Sequence, residues 1–152
     1  MILVDANLLL YAYDADAPQH AAASTWLEKT FRGSEIIGLP WVAIWAFLRV
    51  ATNARLWPKP KTLDEAFDAV RDLLSQPGVV IVNPGARHAE ILERLVQEHR
   101  ATGSMVSDAV LAALALENGA TLASSDQDFS RFRDLRWINP LAAPPGTPKR
   151  AR

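Results

Sequence analysis

The chain has 152 residues, 49% hydrophobic and 22% charged, a composition that can bury a core and that excludes a wholly disordered or fibrous polypeptide. It has no cysteine, which rules out disulfides and thiolate metal sites. Sixteen basic and seventeen acidic residues leave a formal charge of -1, so no overall electrostatic footprint for nucleic acid exists and such binding must rest on local patches.

In chain order, Ile2–Val4 is a short apolar run that reads as a strand, and Asp5 ends it with a charge. With no basic segment ahead of it and Asp5 interrupting it, this run is a poor secretory signal. Ala6 to Tyr13 follows as a helix, and His20 to Phe31 as a second, with Ala23, Leu27 and Phe31 on one stripe and Gly33 beyond its end. A second strand is predicted over Ile36–Leu39, and Pro40 separates it from the helical WVAIWAFLRVATN. The apolar part of that helix, Trp41 to Ala51, contains Arg49 and falls short of the roughly 20 residues needed to cross a bilayer. A soluble, cytoplasmic protein is therefore expected.

Arg49, Arg55, Lys59 and Lys61 form one local basic cluster. Thr62 caps the next helix, TLDEAFDAVRDLL, where Leu63, Ala66, Phe67, Val70 and Leu74 are predicted to be buried and Asp64 and Glu65 suit the N-terminal dipole. Pro77-Gly78 precedes a third strand, Val79–Val82. A helix starting near Met105 is apolar nearly all round from Ala109 to Leu116, so it should run through the interior, and Gly119 stops it. Strands at Thr121–Ala123 and Leu135–Ile138 complete the pattern, with Arg131, Arg133 and Arg136 as a second basic cluster. The remainder from residue 142, AAPPGTPKRAR, has too much proline and charge to pack and reads as a disordered tail, leaving one domain over residues 1–141. Strands alternating with helices predict an α/β fold: a parallel sheet covered on both faces.

In such a sheet, ligands bind beyond the carboxyl ends of the strands, near the point where strand order reverses. Asp5 lies at one such end, and Asp126 lies three residues past Ala123, with Asp128 two further on. Asp108 opens the interior helix, which runs antiparallel to the strand it feeds, so its N-terminal end points to the same rim. Each acid also has a local use: Asp5 and Asp108 at helix N-termini, Asp126 and Asp128 in Asx turns, each worth about 1 kcal/mol. Together on a partly buried rim they would repel one another and raise their own pKa values unless a cation joined them. Oxygen ligands without His or Cys select a hard ion, Mg²⁺ or Mn²⁺.

The histidines His20, His88 and His99 show no metal-ligand spacing and read as surface or boundary residues, and no glycine-rich phosphate loop, GxSxG elbow or zinc signature occurs. The five tryptophans, Trp26, Trp41, Trp45, Trp57 and Trp137, read mostly as core or interface residues, and Trp41 and Trp45, four apart on one helix face, equally suit a dimer contact.

Four segments carry a family resemblance over residues 1 to about 141: ILVDANLLLYA, PWVAIWAFLRVATN, SDAVLAALALENGATLASSDQDFSRF and WINPL. In their order and spacing the chain resembles PIN-domain ribonucleases of the VapC type, the toxins of type II toxin–antitoxin pairs. The resemblance implies a three-layer α/β/α fold and a Mg²⁺- or Mn²⁺-dependent endoribonuclease, commonly dimeric, inhibited by a VapB-like antitoxin. Carried onto this chain, it assigns Asp5, Asp108 and Asp126 as catalytic acids, with Asp5 and Asp108 holding the metal. Asn7, Ser125 and Asp128 become supporting residues, and Arg49 and Arg55 become candidate RNA contacts. One position departs from the family pattern: where a Glu is usual in the helix after the second strand, this chain has Ala46, and no Asp or Glu occurs from Ile36 to Leu63 to replace it. The alternative implied is a catalytically weak or inactive PIN module that binds RNA or an antitoxin.

Overall fold

The computed structural model describes residues 1–142; the tail expected from residue 142 lies, from residue 143 onward, outside the described residues. In chain order the elements are β1 (Ile2–Val4), α1 (Ala6–Ala12), α2 (His20–Phe31), β2 (Ile37–Pro40), α3 (Trp41–Ala51), α4 (Leu63–Ser75), β3 (Val79–Val82), α5 (His88–His99), α6 (Ser104–Glu117), β4 (Thr121–Ala123) and β5 (Trp137–Ile138), with a 3₁₀ turn at Gln127–Arg131 between the last two strands. No helix among the described residues is long and apolar enough to cross a membrane.

All five strands are parallel and stand in the order β3-β2-β1-β4-β5. The chain winds outward from β1 through β2 to β3, then returns past β1 to lay down β4 and β5. Right-handed crossovers place α1 to α4 on one face and α5 and α6 on the other, the three layers expected. The direction of winding reverses between β1 and β4, so the carboxyl ends of these two strands form the crevice where a ligand binds in such sheets.

Burial follows from this order. β1 is central, and Leu3 and Val4 are fully enclosed; α6 has Ala109, Leu111, Ala112, Ala113, Leu114 and Ala115 buried, as its all-round apolar sequence requires. Gly38 on β2 sits where a Cβ would collide with the side chains of Leu3 and Val82, so the close packing of β1, β2 and β3 requires a residue without one.

Several sequence expectations shift. β2 is Ile37–Pro40 rather than Ile36–Leu39, because Ile37 pairs with both Ile2 and Val79 while Ile36, whose carbonyl accepts from the N–H of Ile2, has no register partner and is exposed. β5 shrinks to Trp137–Ile138, the two residues that pair with Leu122 and Ala123. α4 has the predicted start, with a reciprocal capping box between Thr62 and Glu65, but its buried face is Ala66, Ala69, Val70 and Leu73. Leu63, Phe67 and Leu74 are exposed, since the helix turns its small residues toward the tight contact with the core and leaves the larger ones at the flank. His88, expected at the surface or a boundary, is buried at the start of α5, where α5 packs on α6. Its Nδ1 lies 3.6 Å from Glu117, whose carboxylate accepts from the backbone N–H groups of Gly85 and Arg87.

Candidate active site

Asp5 leaves β1 in extended conformation and caps α1, its Oδ1 accepting from the N–H of Ala6 at 2.6 Å. Its Oδ2 accepts from the Ser124 hydroxyl at 2.7 Å and from the Asn7 amide at 2.9 Å. Register explains the Ser124 contact: Val4 is level with Ala123, so the next residues, Asp5 and Ser124, emerge side by side from neighbouring strands. Ser124 is fully buried, and its Oγ also accepts from Asn7 and from the backbone N–H of Asp126. Asn7 Oδ1 in turn accepts from the N–H of Ser125 at 3.3 Å. Both oxygens of Asp5 are thereby anchored from inside the fold.

The supporting hydroxyl is thus Ser124, which sequence reasoning passed over in favour of Ser125; Ser125 contributes its backbone to the network. Aligning the carboxyl ends of the first and fourth strands places Ser124, not Ser125, opposite Asp5, but that these two strands are neighbours is settled by tertiary pairing and not by any local pattern.

Asp108 is the fifth residue of α6, half-buried and approaching from the opposite layer. Asp126 follows β4, where its side chain caps the 3₁₀ turn by accepting from the N–H of Asp128 at 2.8 Å. Asp128 is paired with Arg131 at 2.9 Å. The local uses of Asp5 and Asp126 are therefore present alongside their convergence, whereas Asp128, its carboxylate taken up by Arg131, makes no Asx turn of its own among the described residues.

Electrostatics record that convergence. Burial pushes the Asp5 carboxyl up to about 6; its hydrogen bonds from Ser124 and Ala6 oppose the rise, and the charges of Asp108 and Asp126 add to it. Asp108 is also raised, first by burial and then by Asp126 and Asp128, with Arg131 opposing. A hard cation would reverse both destabilising effects, and the donors are all oxygens, so the residues fit such an ion. The acids do not form a closed cage: among the described residues no three acidic or histidine side chains stand close enough to enclose a metal by themselves.

In front of Asp5 and Asp108 lies an open cleft of about 630 Å³ between α3 and the start of α6. Ser104 and Ser107 line its α6 side; Trp45, Ala46 and Arg49 line its α3 side. Ala46 therefore faces the acids, so the expected fourth carboxylate is absent from the site itself. Arg49 reaches the cleft, whereas Arg55 stands on the exposed turn after α3, outside the lining.

A buried, anchored aspartate at the switch point of a 3-2-1-4-5 sheet, joined there by acids from α6 and from the end of β4, coincides with a family match: the PIN domain model fits residues 2–135. The chain belongs to the PIN-domain family. Within it, this PIN domain is 42% identical over 142 residues to Ribonuclease VapC37 of Mycobacterium tuberculosis, covering 93% of this chain and 99% of that protein. It is 42% identical over 141 residues to Ribonuclease VapC33 of the same species, with coverage of 93% and 99%. The fold recurs in VapBC-1 of nontypeable Haemophilus influenzae, with a TM-score of 0.68, 15% identity and coverage of 93% of this chain and 100% of that one. It recurs also in Mycobacterium tuberculosis VapC20, described as a sarcin–ricin loop cleaving toxin, with a TM-score of 0.63, 18% identity and coverage of 87% and 95%. The VapC-type ribonuclease assignment drawn from the four sequence segments holds over nearly the whole chain.

Proposed function

We propose that the rim formed by Asp5, Asp108 and Asp126 is the catalytic centre of a divalent-metal-dependent endoribonuclease, the toxin of a type II pair. The observation that carries this reading is Asp5: a carboxylate 9% exposed, its pKa raised by burial and further by two neighbouring acids, and opening on a cleft wide enough for a nucleotide. VapC ribonucleases 42% identical over nearly the whole length support the reaction class, and toxin–antitoxin complexes among the structural neighbours support a VapB-like partner. The cytoplasm is where such a pair and its RNA meet.

Asp5 and Asp108 would hold Mg²⁺, or Mn²⁺ in its place, with Asp126 completing the shell or orienting water. When bound, such an ion lowers the pKa of water and polarises the phosphoryl oxygen of the scissile bond. The chain's own part is positional. Ser124, Asn7 and the N–H of Ala6 fix the plane of the Asp5 carboxylate, so that it does not swing away when an anionic backbone approaches. Arg49 on the cleft wall offsets the repulsion between that backbone and the acids.

Purified protein freed of any antitoxin should cut RNA with Mg²⁺ or Mn²⁺ and stop on addition of a chelator. Asp5→Asn and Asp108→Asn should retain the circular dichroism of the wild type while cleavage falls to background. Undiminished cleavage by either variant would remove that residue from the centre. Ala46 favours a second reading, a non-cleaving PIN module, and unaltered RNA in every metal would support it.

A further inference from the structure

We propose that Trp45 is a stacking shelf for one base of single-stranded RNA, and that it sets which nucleotide stands beside the acid rim. This rests on the reading of the cleft as an RNA site. Trp45 is 63% exposed yet lines the same cleft as Asp5 and Asp108. An indole left this open forgoes much of the stabilisation that burial would give it, and a flat partner in the cleft would recover it. Its plane is set in advance by Trp41, one turn earlier on α3, which stacks against it with ring centroids 6.3 Å apart and planes 27° from parallel. A shelf already oriented loses little freedom when a base settles on it.

The surroundings favour a nucleotide over other occupants. Arg49, four residues beyond Trp45 and thus about 6 Å along the helix, stands on the same wall and makes no ion pair among the described residues. Its charge is available to a phosphate attached to the stacked base. Between the two lies Ala46, with Val42 and Leu111 alongside, an apolar surface at the position where the family carries a carboxylate. The loss of that acid removes a metal ligand and gives a base an uncharged seat. An aromatic face beside an unpaired cation is the usual combination for single-stranded nucleic acid, whereas a duplex keeps its base faces stacked within the helix and cannot offer one to Trp45.

The test uses the full chain in Ca²⁺ buffer, with fluorescein-labelled 12-mers of oligouridylate and oligoadenylate and an abasic ribose-phosphate chain of equal length, read by anisotropy. Trp45→Ala should weaken base-bearing oligomers by about 5- to 150-fold and leave the abasic chain unaffected, while Trp45→Phe restores most of the loss. Arg49→Ala should weaken all three. Equal binding of the oligomers by wild type and Trp45→Ala overturns the proposal, as does no binding by the wild type or an equal loss on the abasic chain. Sedimentation equilibrium on the same samples covers the rival occupant: if Trp45→Ala splits a dimer without changing RNA affinity, the ring belongs to a second copy. Cleavage in Mg²⁺ is scored separately. Trp45-dependent binding without cleavage retains the shelf and removes the nuclease, and cleavage with unchanged affinity in Trp45→Ala does the reverse.

Discussion

Asp5 is 9% exposed and ends a central strand, so without a cation its charged form is held against both burial and its acidic neighbours. The sign of the resulting pH effect is definite. Its folded pKa of about 6 lies above the ordinary 3.8, so the folded state binds the extra proton between these values and metal-free stability falls as pH rises through them. The full effect is about 3 kcal/mol near neutrality. Asp5→Asn should therefore match the wild type near pH 4 and exceed its stability at pH 7 by up to that amount. Urea denaturation of the metal-free proteins at the two pH values checks this, and saturating Mg²⁺ should close the gap by stabilising only the wild type. A difference that stays constant with pH would mean that Asp5 is not strained as an anion.

At the scale of elements, the amphipathic patterns indicated which segments are helices more reliably than which faces they bury. The α4 pattern was compatible with two adjacent stripes, and packing selected the one with small residues, Ala66 and Ala69, leaving Phe67 outside. α3 presents Ala46 to the cleft, so Ala46→Glu should restore a carboxylate opposite Asp5 and tighten Mg²⁺ binding by about 10-fold or more, measured by calorimetry. If Trp45 holds a base, the same change should weaken oligouridylate binding in chelator. In β2, Gly38→Ala should destabilise the fold by about 1–3 kcal/mol, because the new methyl meets Leu3 and Val82 in a close-packed sheet with no free space to yield. Thermal denaturation would show this as a lower midpoint.

For the whole molecule, a formal charge of -1 means that long-range attraction contributes little to RNA binding. On the proposed reading, affinity comes from stacking and from one or two cations at the cleft, whose lining includes Arg49. The slope of log K against log salt for oligouridylate should accordingly be shallow, about -0.7 to -1.5. A slope several times steeper would point to a broad basic surface, such as one including Arg131, Arg133 and Arg136.

The sequence by itself determined the α/β alternation, the capping of α4, the interior course of α6 and the three acids, because these depend on local periodicity and on charges placed where apolar runs end. Only the tertiary structure decided that Ser124 rather than Ser125 braces Asp5, that His88 is buried and that Trp45, Ala46 and Arg49 face the cleft while Arg55 does not. Those facts depend on strand register and helix rotation. Both are set by packing between segments more than a hundred residues apart, such as Asp5 and Ser124, which no local pattern records.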